Sequence, residues 1–264
     1  MSTVANSTKF YDRNGRRLVY VREAATPEFW DSQWLDSFDP KEYERVPKRA
    51  LTVQMTQKYL PAGSVVLEGG CGLARTSWWL KSVGYQAIAI DFAERTIDLL
   101  KEKLPDLDSR VGDLRHLDVE DASIDGFWSL GVIEHDWDGY AALRDEMARV
   151  IRPGGFLFLT FPYMSPLRRL KGRARLYPAA PERCPDGFYQ FALDGRAVAR
   201  DFEQHGFEVV ERHPFLPVRG LEDELRAGSG LIKPLLSTRV VRTAASRALR
   251  RLTSHCILLV LRRR

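Results

Sequence analysis

The sequence predicts an α/β fold in which a parallel sheet is covered by helices on both faces. Three observations carry that prediction. Short runs of strand length recur at Val65–Leu67, Gln86–Asp91, Asp108–Val111, Gly126–Ile133 and Phe156–Phe161, most of them apolar, with helical stretches between them. Several of these runs are apolar almost throughout, as strands buried on both faces are. A glycine-rich turn (Gly69, Gly70, Gly72) separates the first run from the first of the intervening helices, the junction of a strand-turn-helix unit.

A chain of 264 residues is long enough for one large α/β domain with insertions and short for two. Hydrophobic content of 44% and charged content of 28% are ordinary for a globular protein, which argues against disorder. Cys71, Cys184 and Cys256 are far apart and odd in number, so neither a disulfide framework nor a zinc site is expected. The longest apolar run near the end, Cys256–Leu261, is far below the ~20 residues of a membrane span. A cytoplasmic location follows as the expectation. The net charge of +5 is uneven: residues 219–264 carry +8 and residues 1–218 carry −3.

In chain order, residues 1–60 are expected to form an N-terminal helical cap or lid, and residues 61–264 the main domain with insertions at about 164–187 and 215–252. Residues 1–20 are polar and mixed and receive no assignment of their own. Phe29, Trp30, Trp34, Phe38 and Tyr43 fall at loosely helical spacing. They describe a helix packing by its aromatic face, with a lid over a ligand as the alternative. A further helix over 41–60 should end at Pro61 and Gly63.

The turn itself narrows the chemistry. Glycines there permit positive φ and a close approach of a ligand to the backbone. A dinucleotide fingerprint would put its third glycine on Arg75, where helix and strand must pack closely. Glu68, at the strand tip, would repel a pyrophosphate but suits a ligand bearing an ammonium and a sulfonium. Asp91 ends the second strand 23 residues beyond Glu68, where it can accept from ribose hydroxyls or cap the helix over 93–104.

Taken together, VVLEGGCG, AIAID, GDL, SLGVIEH and RVIRPGGFLFLTFP resemble, in order and spacing, the motifs of class I S-adenosylmethionine-dependent methyltransferases. The likeness is to the small-molecule type, similar to the enzymes of ubiquinone and menaquinone biosynthesis, and covers residues 63–162. Ala74 stands where a further glycine is usual. The resemblance implies a Rossmann-like, doubly wound, seven-stranded sheet of order 3-2-1-4-5-7-6 with strand 7 antiparallel, here Ser254–Leu261, and strand 6 at Phe207–Glu211. It implies S-adenosyl-L-methionine as cofactor and S-adenosyl-L-homocysteine as product. Glu68, Gly69, Gly70, Gly72, Asp91, Phe92 and Gly131 fall at cofactor-binding positions. Asp113 would accept from the adenine amino group, and Leu114 would offer its amide and an apolar surface to the ring.

Methyl transfer is a direct displacement, so alignment and exclusion of water matter most. His135, just past the fourth strand, is the candidate base, and Tyr163 with Tyr189 could orient an acceptor. Some relatives hold a divalent cation with E-x-x-E-H at this strand, but Gly131 replaces the first ligand, so no metal is expected. The expected acceptor is a small molecule, either lipid-linked or from a glycan pathway. The alternatives are RNA or protein methylation and a catalytically silent cofactor binder. Nucleic acid is not expected, because the basic residues lack interleaved aromatics. The 164–187 insertion either covers the substrate or is a solvated basic loop. A basic amphipathic helix over 231–252 either packs on the domain or meets an anionic membrane or acidic substrate.

Overall fold

The computed structural model describes residues 8–47, 50–225 and 247–264. Strands β1 (Thr8–Asp12) and β2 (Arg17–Val21) form a hairpin. Its turn is nucleated by Asp12, whose Oδ1 accepts from the amides of Asn14 and Gly15 at 3.0 Å. The cap is therefore only partly helical, contrary to the expectation for residues 1–60. Helix α1 (Pro27–Leu35) follows, capped by Thr26. The helix expected over 41–60 shrinks to a 3-10 turn at Pro40–Glu42 and α2 (Leu51–Tyr59), because Pro47 lies between them and cannot continue a helix.

The main domain then alternates as the sequence predicts: β3 (Val65–Gly69), α3 (Arg75–Ser82), β4 (Gln86–Asp91), α4 (Glu94–Lys103), β5 (Asp108–Val111), β6 (Ile124–Leu130), α5 (Ala141–Val150) and β7 (Ile151–Pro162). Next come α6 (Pro166–Arg173), β8 (Phe188–Ala192), α7 (Gly195–Gln204), β9 (Phe207–Phe215), α8 (Pro217–Glu224) and β10 (Cys256–Arg263). The seven-stranded sheet runs β5-β4-β3-β6-β7-β10-β9. Renumbered within the domain, that is 3-2-1-4-5-7-6, and its seventh strand, β10, is antiparallel to both neighbours. Of the basic stretch 231–252, only 247–252 lies among the described residues, and it is helical.

Alternation along each strand sends side chains to two cores. Leu67, Phe127, Leu157, Leu159 and Leu259 lie in one; Val66, Trp128, Phe158, Leu258 and Val260 in the other. Trp128 stacks on Phe158 with centroids 4.4 Å apart and donates Nε1–H to Thr56 Oγ1 at 2.9 Å, tying α2 to the sheet.

Strand β8, which the sequence reading passed over, pairs with β2 and completes a second sheet, β1-β2-β8. Buried charge fastens this cap. Arg168, fully buried, donates to Asp223 at 2.8 Å, to Glu224 at 3.1 Å and to the carbonyls of Tyr163 and His255. Lys9 of β1 reaches the same two carboxylates at 2.7 and 3.0 Å. These cations hold Glu224 at about 2 against the upward push of burial. Each charge has partners, so removal of one would strand the others.

Candidate active site

The carboxyl ends of β3, β4 and β6 open into a cavity of about 610 Å³, within the range of cofactor pockets. The turn after β3 is shaped by its contacts with β4. Gly70 and Cys71 donate amides to Ile90 O at 2.8 and 3.1 Å, and Gly72 donates to Asp91 Oδ2 at 2.8 Å. Gly70 and Gly72 have φ of +69° and +47°, and a Cβ on either would meet Val132 or Trp34 at under 3 Å. Only glycine fits both the backbone and the space.

Asp91 organises the turn on its other side too, where Oδ1 accepts from Ala93 N at 3.0 Å. It does not cap α4. That role falls to Asp31 of α1, whose Oδ1 accepts from Thr96 N at 2.9 Å and Thr96 Oγ1 at 2.8 Å. One carboxylate thus both caps α4 and docks α1 beside the cavity. Burial pushes Asp91 upward, against the amides that favour its charged form.

Glu68 sits behind the turn, outside the cavity wall. Its Oε2 accepts from Ser77 N at 2.8 Å and Ser77 Oγ at 2.6 Å, joining β3 to the first turn of α3. Burial raises it to about 7. Gly69 also lies outside the wall, packed under Phe127 and Leu114. Asp91, Gly70, Phe92, Asp113, Leu114 and Gly131 line the cavity. Phe92, 41% exposed, presents an unusual amount of apolar ring at this edge. Asp113 faces the cavity already paired with Arg115, at 2.8 Å through its Oδ2, and that guanidinium lowers its pKa.

The far wall comes from the cap. Trp30 and Trp34 of α1 stack at 5.6 Å with rings 14° apart, and both line the cavity. The other aromatics of this stretch pack inward, Phe29 against Tyr189 and Phe38 against Tyr43. His135 meets Trp30 and Tyr189 edge-on, at 5.2 and 5.1 Å. Its Nδ1 lies 2.6 Å from Tyr189 O. A carbonyl only accepts, so Nδ1 carries the proton and Nε2 of the neutral ring is the basic nitrogen. Burial lowers the ring to about 4, outweighing the carbonyls of Tyr189 and Gly131. Next to it, Glu134 is buried, its Oε2 has no partner among the described residues, and burial raises it to about 8.

Tyr163 is elsewhere. The structure does not bring it to His135; it lines a second cavity, of about 480 Å³, beyond the end of β7.

Residues 67–159 match the model of the family described as a methyltransferase domain. A relative from Mycolicibacterium smegmatis, named a probable S-adenosylmethionine-dependent methyltransferase, is 31% identical over 173 residues, 65% of this chain and 63% of that protein. Over residues 67–159 the chain thus carries a methyltransferase domain similar to S-adenosylmethionine-dependent methyltransferases. The malonyl-[acyl-carrier protein] O-methyltransferase of Yersinia pestis is 33% identical over 108 residues, 41% of this chain and 39% of that one. The chain thus spans less than two thirds of the length of either relative. A solved TehB-like S-adenosylmethionine-dependent methyltransferase from Corynebacterium glutamicum has the same fold, with a TM-score of 0.55 at 15% identity over 90% of this chain and 98% of that one. The matched family segment holds the turn, Asp91, Asp113 and His135, whereas α1 with Trp30 and Trp34, and Tyr163, lie outside it. No helix among the described residues is long and apolar enough to cross a membrane.

Proposed function

We propose that this chain transfers the methyl group of S-adenosylmethionine to a small-molecule acceptor, releasing S-adenosylhomocysteine. One observation supports it above the others: a cavity of cofactor size in which a glycine turn, a ribose-height carboxylate, an exposed phenyl ring and a neutral histidine converge. The donor set also fits the ligand's charge. Asp91 borders the cavity and Glu68 lies directly behind its turn, and burial disfavours the charge of both; a cation bound there would offset that penalty.

When bound, S-adenosylmethionine supplies the methyl group as an electrophile on a positively charged sulfur. The chain's own residues then have three tasks. Asp91 and Asp113 bind ribose and adenine, with Phe92, Leu114 and Gly131 against the ring. Gly70 brings the backbone close to the amino-acid end, on a turn that Gly72 shapes and Glu68 anchors to α3. Trp30 and Trp34 exclude water from above. His135 removes the acceptor proton through Nε2 while Tyr189 O keeps Nδ1 protonated. Residues 61–264 serve as the catalytic domain in this reading, with residues 1–60 as its cap.

Incubating the protein with S-adenosylmethionine and pooled hydroxyl, amine and carboxyl acceptors tests this through S-adenosylhomocysteine release. Turnover with at least one pool is expected. Failure to bind the cofactor at all would remove the reading.

A further inference from the structure

The second cavity has a different chemistry. Arg169 of α6, Arg196 of α7, Arg212 of β9 and Arg250 and Arg251 of the closing helical segment all line it, together with His213. Five arginines from four parts of the chain therefore line one space of about 480 Å³. Like charges gathered in this way repel one another unless something negative lies among them.

Little in the chain supplies that charge. Arg169 has a carboxylate partner, Asp194, at 3.1 Å, and its Nε is buried with no partner among the described residues. No ion pair joins Arg196, Arg212, Arg250 or Arg251 to a carboxylate among those residues. Residues 226–264 contain no Asp or Glu, so the segment just before Arg250 offers no acidic side chain either. Glu211, whose Oε1 lies 2.5 Å from Nε2 of His213, is also held by Lys58 at 2.7 Å and by the hydroxyl of Tyr59, so its charge is shared away from the arginines. The arginines are nonetheless placed. Arg250 donates Nε–H to Pro214 O at 2.8 Å, with its outer nitrogen 3.4 Å from His213 Nδ1. Two helices also start at this cavity. Pro166 and Gly195, the first residues of α6 and α7, are in its wall, adding the partial positive charge of helix N-termini.

We propose that this cavity is a binding site for a phosphate-bearing ligand. Guanidiniums offer paired N–H donors that match phosphate oxygens, and the volume exceeds that of a single phosphate, leaving room for a diphosphate or a phosphate with part of its carrier. Tyr163 lies in the wall at the end of β7, on the same carboxyl edge of the sheet as the cofactor cavity. That placement makes the anion the handle of the methyl acceptor, a step that rests on the methyl-transfer reading, whereas the anion site itself does not.

The test is a titration of the full chain with sodium pyrophosphate at low ionic strength, against sodium chloride of equal ionic strength. Saturable binding is expected, weakened about tenfold or more in Arg196→Ala/Arg212→Ala, whose side chains are exposed and have no ion pair among the described residues, and unchanged in Arg95→Ala on α4. S-adenosylmethionine affinity, measured in the same samples, should be equal in all three proteins and reports their folding. Absence of pyrophosphate binding to the wild type, or equal binding in the double variant, would overturn the site. Vesicles of phosphatidylcholine with phosphatidylserine form the second arm. Vesicle binding that pyrophosphate neither reproduces nor competes with would overturn it in favour of a lipid surface. Pyrophosphate binding without any cofactor binding would leave the anion site standing and remove only its role as an acceptor handle.

Discussion

Two cavities open on the same edge of one sheet, and they are built in opposite ways. The cofactor cavity is walled by backbone turns, carboxylates and aromatic rings, with Asp91 and Asp113 in its lining and Trp30 and Trp34 above. The second is walled by guanidiniums from α6, α7, β9 and residues 250–251. The first suits a cation beside a buried acid, Asp91; the second suits an anion among clustered arginines. The proposed methyl transfer needs two ligands side by side, and separating them by charge keeps each from the other's site.

The largest expected effect is on the acidic side. Asp91 both borders the cavity and accepts the amides of Gly72 and Ala93. Asp91→Ala should therefore lose hydrogen bonds to a charged group and loosen the turn, weakening S-adenosylmethionine binding by roughly 1.5–3 kcal/mol. Pyrophosphate binding should not change. Calorimetric titration with both ligands checks this, and equal loss of both would collapse the distinction between the cavities.

His135 sits on the cofactor side of the boundary, and its removal acts on rate. His135→Ala should leave cofactor affinity nearly intact and lower turnover by about 10²-fold, the low end for loss of a general base. The pH profile is the sharper test. Because burial lowers the folded ring to about 4, it stays unprotonated across the neutral range, so the wild-type rate should hold as pH falls past 6 and drop only towards 4. A drop centred near the ordinary histidine value of ~6.5 would mean the ring is more exposed than this packing allows, and an unchanged rate in the variant would make His135 purely structural.

The two cavities also differ in how legible they were in the sequence. The acidic one is assembled largely from residues 70–143, a run of consecutive strand-turn-helix units whose glycines and strand-tip acids are local signals, with α1 and Ala25 just before it added from outside. The sheet order followed from the same stretch by resemblance. The arginine cavity draws on residues from 163 to 257; scattered arginines read as solvated surface, and only the folding of β9 and β10 against β7 brings them together. The hairpin β1–β2 carried a readable signal, Asn14-Gly15 between two mixed apolar runs, which the polar composition around it obscured. Strand β8 had no such marker, since its partner β2 lies about 170 residues away. Glu68 was placed correctly at the strand tip, yet nothing in the sequence showed that it would turn back onto Ser77.

A smaller effect concerns the lid. Asp31 caps α4 from α1 through Thr96, so Asp31→Ala should cost about 1 kcal/mol of stability, as the loss of an N-cap does. It should also weaken cofactor binding several-fold by freeing Trp30 and Trp34 from the cavity. Trp fluorescence on addition of S-adenosylmethionine would follow this directly. A variant that loses stability but keeps full affinity would show that the tryptophans need no anchored helix.

The smallest effect tests the charge of the acidic cavity itself. Burial raises Glu68 to about 7 and raises Asp91 in the same direction, so at pH 7 Glu68 is close to half protonated before any ligand arrives. A raised carboxyl favours the protonated form in the folded protein, and its contribution to stability is lost as pH rises through that value. A bound sulfonium and ammonium would favour the carboxylate and pull its pKa down, which sets the sign: protons leave when the cofactor binds. Roughly half a proton per S-adenosylmethionine is expected at pH 7, falling to zero by pH 9 where the carboxylate is already formed. S-adenosylhomocysteine, which lacks the positive sulfur, should release fewer. Calorimetry at pH 7 in buffers of different ionisation enthalpy measures the number, and Glu68→Gln should abolish it. Proton uptake, or release that survives in that variant, would show that the cation is held by other groups and that Glu68 serves only to join β3 to α3.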